Sequence, residues 1–193
     1  GMNENELANY FPRLVEDLNN GTNNAESLLK EVDMAYRKIK IEEKINSTSD
    51  FKIFKTNESI DALPGQFVFA WIPGIGEKPF SIMDDNHLTL GILERGEFTR
   101  KLNSLQKGDY FYVRGPYGRA VDINFNSDIN LVAGGCGIAG LNLIAKRASE
   151  KLCDKRLLIL LGAKDKEHIP YLENFQKYGE VWIATEKRIN IKF

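Results

Sequence analysis

Residues 37 to 45 read RKIKIEEKI, with isoleucine at 39 and 41 and charged residues between. Alternation of period two puts successive side chains on opposite faces of a strand. The runs FKIF (51–54), QFVFAWI (66–72), HLTLGIL (87–93) and DYFYVRG (109–115) repeat that short, β-rich texture. Turn residues such as Asn46-Ser47 and Leu63-Pro64-Gly65 separate them. Strands recurring at this spacing predict a closed antiparallel barrel. One helix interrupts them, TRKLNSL (99–105), with Thr99 as its N-cap and Lys107-Gly108 as its stop.

From about residue 128 the period changes. INLVAG predicts a buried strand, and IAGLNLIAKRASEKL an amphipathic helix with Leu141, Ile144, Ala145 and Ala148 on one side. RLLILLGA is almost continuously apolar, as parallel strands buried on both faces are. HIPYLENFQKYG predicts a second helix and EVWIAT a third strand. This alternation predicts a doubly wound α/β unit whose parallel sheet has only about three strands. Ahead of the barrel, residues 4–18 and 24–38 carry apolar stripes at helical spacing (Leu14, Val15 and Leu18, then Leu28, Leu29, Val32 and Ala35) around the polar turn NNGTNN. The expected organisation is therefore a helical arm over 1–35, a barrel over 36–126 and an α/β unit over 127–193.

Composition narrows the function. The 193 residues carry 26 Lys and Arg against 27 Asp and Glu, without the basic excess of a nucleic-acid binder. No run approaches the ~20 apolar residues of a membrane span. The first thirty residues hold Glu4, Glu6, Glu16 and Asp17 and do not read as a secretory signal. Cys136 and Cys153 cannot build a disulfide framework or an all-cysteine iron–sulfur site, and reduced thiols fit a cytoplasmic protein. His87 and His168 are far apart, and no metal-ligand spacing is present.

Four stretches carry candidate chemistry. LVAGGCGIAG (131–140) satisfies G-x-G-x-x-G from Gly135, between a strand and a helix. Such a turn brings backbone and helix N-terminus close to a pyrophosphate, or serves only helix–strand packing. The strand after it ends Leu161-Gly162-Ala163-Lys164, with no acid for a ribose until Asp165. EKPFSI (77–82), read as a loop after a strand, offers a cation, a ring, an aromatic and a hydroxyl in order. GEFTRKL (96–102) opens a helix whose N-terminus suits an anion or is merely capped. RGPYGRAVDI (114–123) is a turn closing the barrel, where Tyr117 could stack on a planar ligand.

Taken in order, PGQFVFAWIPGIGEKPFSI, GEFTRKL, RGPYG, LVAGGCGIAGL and LLGAKDKEHIPYLENF resemble the ferredoxin–NADP reductase superfamily over residues 36 to 186. Within it they look most like the electron-transfer subunits of dihydroorotate dehydrogenase B, which act in pyrimidine biosynthesis. The resemblance implies an antiparallel flavin-binding barrel followed by a nicotinamide-nucleotide domain. Lys78 would meet a flavin phosphate, while Pro79, Phe80 and Ser81 border the ring. Ile92 and Leu93 would line ring and ribityl chain. Gly96, Phe98 and Thr99 match the segment that takes the pyrophosphate. Gly134, Gly135, Gly137, Ile138 and Ala139 match the turn facing the nicotinamide nucleotide.

The implied cofactor is FAD, with FMN left open. NAD(P)H would be the substrate, and a dehydrogenase catalytic subunit or a second copy the partner. The chain departs from the pattern in several places. Lys78 replaces the usual arginine and Gly140 the usual proline. The late cysteine cluster is missing, so no iron–sulfur centre is expected in this chain. The last strands of the family domain are missing too. A non-catalytic scaffold on the same fold, completed by a partner chain or by self-association, is therefore the rival expectation.

Overall fold

The computed structural model describes residues 36–186 and the backbone of residues 188–190; the arm expected over 1–35 lies outside the described residues. Six strands close a barrel in the order β1-β2-β5-β4-β3-β6. They are β1 Arg37–Asn46, β2 Phe51–Thr56, β3 Phe67–Ile72, β4 Gly76–Asp84, β5 Thr89–Leu93 and β6 Tyr110–Tyr117. Every pairing is antiparallel, and β6 returns to β1 to leave no free edge. The period-two alternation drives this closure: Ile39, Ile41, Val68, Leu90, Phe111 and Val113 all point into one core.

The unforeseen strand is β4. The EKPFSI stretch, expected as a loop, pairs with β3 from Phe67↔Ser81 to Ile72↔Gly76. Pro79 hid it, since proline cannot donate to a ladder. Here β5 joins β4 only at Ile82 and Asp84, so nothing pairs with β4 on that side of Pro79.

Helix α1 (Glu97–Ser104) plugs the barrel with Phe98 and Leu102. Its N-cap is Gly96, so it begins two residues before the expected Thr99. The Thr99 hydroxyl instead reaches back, accepting from Arg95 N at 2.9 Å and Gly96 N at 3.0 Å. At the far end Lys44 Nζ donates to the carbonyls of Asn103 (2.6 Å) and Leu105 (2.9 Å), tying the helix to β1.

After a connecting segment, β7 (Ile129–Gly134), β8 (Leu157–Ala163) and β9 (Glu180–Thr185) form a parallel sheet. A short strand β10 (Arg188–Asn190) adds an antiparallel fourth member beside β9, beyond the three expected from the sequence. Because the order β10-β9-β8-β7 is monotonic, both crossovers run one way, and α2 (Gly137–Lys151) meets α3 (Leu172–Tyr178) on one face. Ile159, Leu161 and Val181 bury against Ile138, Ala145 and Phe175 there.

The single apolar side expected for α2 is only half of its packing. Leu141 is only partly covered, whereas Leu143 is fully buried in the barrel core. Ala139 packs on Phe51, Ile53 and Met83, and Asn142 Nδ2 donates to Met83 O at 2.8 Å. The helix is wedged between sheet and barrel, which blurs a one-stripe pattern. The second helix is shorter than HIPYLENFQKYG. Pro170 and a left-handed Tyr171 (φ 62°) delay its start, and Tyr171 N donates to Ser47 Oγ across to the barrel.

Candidate functional site: a cleft between barrel and sheet

An open cleft of about 520 Å³ lies where β4, β5 and the N-termini of α1 and α2 converge. That volume falls within the range of small-molecule sites. Strand β4 supplies Lys78, Pro79, Phe80 and Ser81; β5 supplies Gly91 and Leu93. Arg95 to Thr99, around the start of α1, and Cys136 and Ala139, around the start of α2, complete the lining. Since β4 has no strand beside it on the β5 side here, residues from both of its faces reach the cleft. Phe80 stacks on Phe98 with ring centroids 6.2 Å apart, giving an apolar wall.

The lining also carries charged groups. The side chains of Lys78 and Arg95 enter no ion pair or hydrogen bond among the described residues. The first turn of α1 has no side-chain cap, leaving Glu97 and Phe98 N–H groups to the cleft end. With the helix dipole they favour an anion, although the Glu97 carboxylate opposes one.

The structure divides the sequence-derived candidates. Lys78, Pro79, Phe80, Ser81, Leu93, Gly96, Phe98, Thr99 and Ala139 come together around the cleft. Ile92 does not: strand alternation turns it into the barrel core at 0% exposure and gives Gly91 and Leu93 to the cleft. Ile138 is likewise fully buried, between α2 and the sheet.

Gly134, Gly135 and Gly137 build the turn without lining the cleft. Gly135 adopts φ +55°, a left-handed conformation that glycine accepts freely. The N–H groups of Ile138 and Ala139 fold back onto the carbonyls of Gly135 and Cys136. The turn thus consumes donors that a phosphate would need, and the end of α1 is the better equipped anion site. Asp165, the acid after β8, caps the next turn by accepting from His168 N, with His168 Nδ1 2.6 Å from its carboxylate. This contact raises the His168 pKa and lowers that of Asp165.

Sequence reading missed Gly91, Arg95 and Glu97. The one available signal was a cation immediately before a helix start. At Gly140 a Cβ would lie 3.4 Å from Ser81 Oγ, so α2 passes close against β4. The approach is held by a charged joint: Lys146 Nζ lies 2.9 Å from Asp84 and 3.6 Å from Asp85, and Arg147 pairs with Asp85. Burial alone would lower the Lys146 pKa, but these carboxylates raise it. No cluster of three metal-ligating side chains occurs among the described residues, and none of their helices is long and apolar enough to cross a membrane.

No family model matches the chain. Over 151 residues it is 38% identical to a Thermococcus kodakarensis protein named "Probable dihydroorotate dehydrogenase B (NAD(+)), electron transfer subunit", spanning 78% of this chain and 63% of that one. A solved NADH-dependent reduced ferredoxin–NADP oxidoreductase superposes with a TM-score of 0.71 at 26% identity, over 80% of this chain and 59% of the other. The chain belongs to the ferredoxin–NADP reductase superfamily. The barrel and parallel sheet are the superfamily's two parts. The Plasmodium falciparum ferredoxin–NADP+ reductase shares that fold, with a TM-score of 0.68 at 19% identity over 79% of this chain and 72% of its own. The chain spans less than two thirds of the length of the curated relatives it matches.

Proposed function

We propose that the chain is a flavin-binding electron-transfer module of an NAD(P)H oxidoreductase, of the dihydroorotate dehydrogenase B type. The observation that carries this reading is the pairing, in one cleft, of an apolar slot with a cationic end at the start of α1. The residues fit a flavin nucleotide. Pro79, Phe80, Leu93 and Phe98 would hold its ring, and Ser81 would offer a hydroxyl at its edge. Lys78 and the first N–H groups of α1 would hold phosphate. When bound, a flavin accepts a hydride from a reduced nicotinamide nucleotide and releases electrons singly.

The work of the chain is to position and screen. The barrel seats one face of the slot, and the charged joint at Asp84 and Asp85 sets α2 against the other. Cys136, within the glycine turn, and Ala139, in the first turn of α2, form the wall from which NAD(P)H approaches. On this reading the flavin is FAD, with FMN the alternative, and the electrons pass on to a dehydrogenase catalytic subunit; the Thermococcus relative is named an electron transfer subunit of dihydroorotate dehydrogenase B.

The test is to purify the chain with added FAD or FMN and record its visible spectrum. A bound flavin that bleaches under anaerobic NADH or NADPH supports the reading. A chain that takes up neither flavin refutes it. Flavin uptake without any bleaching would favour a binding role over catalysis.

A further inference from the structure

We propose that Arg95, rather than Lys78 alone, is the principal phosphate-binding side chain of the cleft. The assignment rests on the flavin reading above. Arg95 directly precedes Gly96, the N-cap of α1, and lines the same cleft as Lys78, Phe80 and Phe98. Its backbone is held in place, since Arg95 N donates to Thr99 Oγ1 at 2.9 Å. Its guanidinium has no carboxylate or hydrogen-bond partner among the described residues. A cation left unpaired beside an uncapped helix start is available to an anion.

Three features of the cleft call for this side chain. Lys78 is a point charge on a flexible stem and cannot make the planar, two-point contact of a guanidinium. Glu97 places a carboxylate in the first turn of α1, facing the same end. A phosphate bound there meets that negative charge unless a second cation offsets it. The glycine turn of α2, finally, spends the donors of Ile138 and Ala139 within itself. Arg95 supplies the fork that Lys78 lacks and the charge that Glu97 removes.

The experiment compares dissociation constants of FAD, FMN and riboflavin for the full chain, measured by quenching of flavin fluorescence. Variants are Arg95→Ala, Arg95→Lys, Lys78→Ala and Glu97→Gln. Arg95→Ala is expected to weaken FAD and FMN by about ten- to a hundredfold, the usual size of a charged hydrogen bond, while riboflavin, which has no phosphate, is unaffected. Arg95→Lys should recover only part of the loss, and Glu97→Gln should tighten FAD. The same FAD affinity in Arg95→Ala as in the unaltered chain overturns the assignment. So does an equal loss for riboflavin, which would mark Arg95 as structural. Absence of flavin uptake by the unaltered chain overturns the flavin reading and this assignment together.

Discussion

The barrel and the parallel sheet bury comparable side chains but are finished to different degrees. In the barrel every strand has two neighbours, and the ladder closes on itself through β1 and β6. In the sheet β7 has a partner on one side only among the described residues, and Val132 on that strand is 68% exposed while adjacent Leu131 is 9%. A closed ladder can hold a site by itself, whereas an open one depends on what it leans on. Here the sheet leans on the barrel through α2, whose Leu143 lies in the barrel core. The cleft follows the same asymmetry: the barrel and α1 contribute most of its lining, and the sheet side contributes Cys136 and Ala139.

The sharpest test of this dependence is a pair of equivalent truncations. Phe111 in the barrel and Phe175 under the sheet are 1% and 0% exposed. Each alanine variant should lose about 3–5 kcal/mol. Phe111→Ala should abolish flavin uptake, since α2 has no barrel to pack on. Phe175→Ala should loosen the sheet and leave uptake measurable. Urea unfolding followed by flavin fluorescence and far-ultraviolet circular dichroism separates the two outcomes; equal loss of uptake would remove the distinction.

The next largest effect concerns the outside of the barrel. Arg114 grips Glu77 through two nitrogens, at 3.0 Å and 2.7 Å, and Tyr36 donates to the same carboxylate. Arg114→Ala leaves a partly buried carboxylate without its cation and should cost about 3 kcal/mol. Burial pushes the Glu77 carboxyl up, but hydrogen bonds from Arg114 and Tyr36 outweigh it and hold the group below the usual range. The stability from this lowering is fully present above the unfolded value of about 4.3 and is lost as pH falls through the lower folded value. Arg114→Ala should therefore flatten the acid limb of the stability profile, measured by unfolding between pH 6 and pH 3.

The joint between the two regions comes third. Asp85→Asn weakens the contacts with Arg147 and Lys146 and should cost about 1–3 kcal/mol. The sheet should then unfold before the barrel, seen as two calorimetric transitions in place of one. The smallest effect has the opposite sign. Gly140→Ala places a methyl in ordinary contact with Ser81 and removes a helical glycine, so thermal unfolding should show a gain of about 0.5–1 kcal/mol.

Much of this arrangement was legible along the chain. Five of the six barrel strands, all three parallel strands and the position of α2 follow from alternation and apolar runs. The misses share one cause, since each concerns a residue whose role is set across strands. β4 carries the proline and shows no alternation; its pairing with β3 along its length, with β5 joining only at Ile82 and Asp84, makes it a strand. Ile92 and Leu93 are adjacent in sequence, and the pleat alone decides that one faces the core and the other the cleft. Arg95 sits just before the motif that attracts attention, and its reach into the cleft depends on where α1 starts.

By itself the sequence determined most of the element types and the family resemblance, because alternation, glycine turns and helix starts are local and written in order. It could not determine which helix start keeps its backbone donors open. The glycine turn carries the stronger motif, yet its own backbone uses its donors, while the plainer start of α1 keeps them open beside Arg95 and Lys78. That choice belongs to the tertiary structure, because hydrogen bonds close and cations meet only after the chain has been brought together in space.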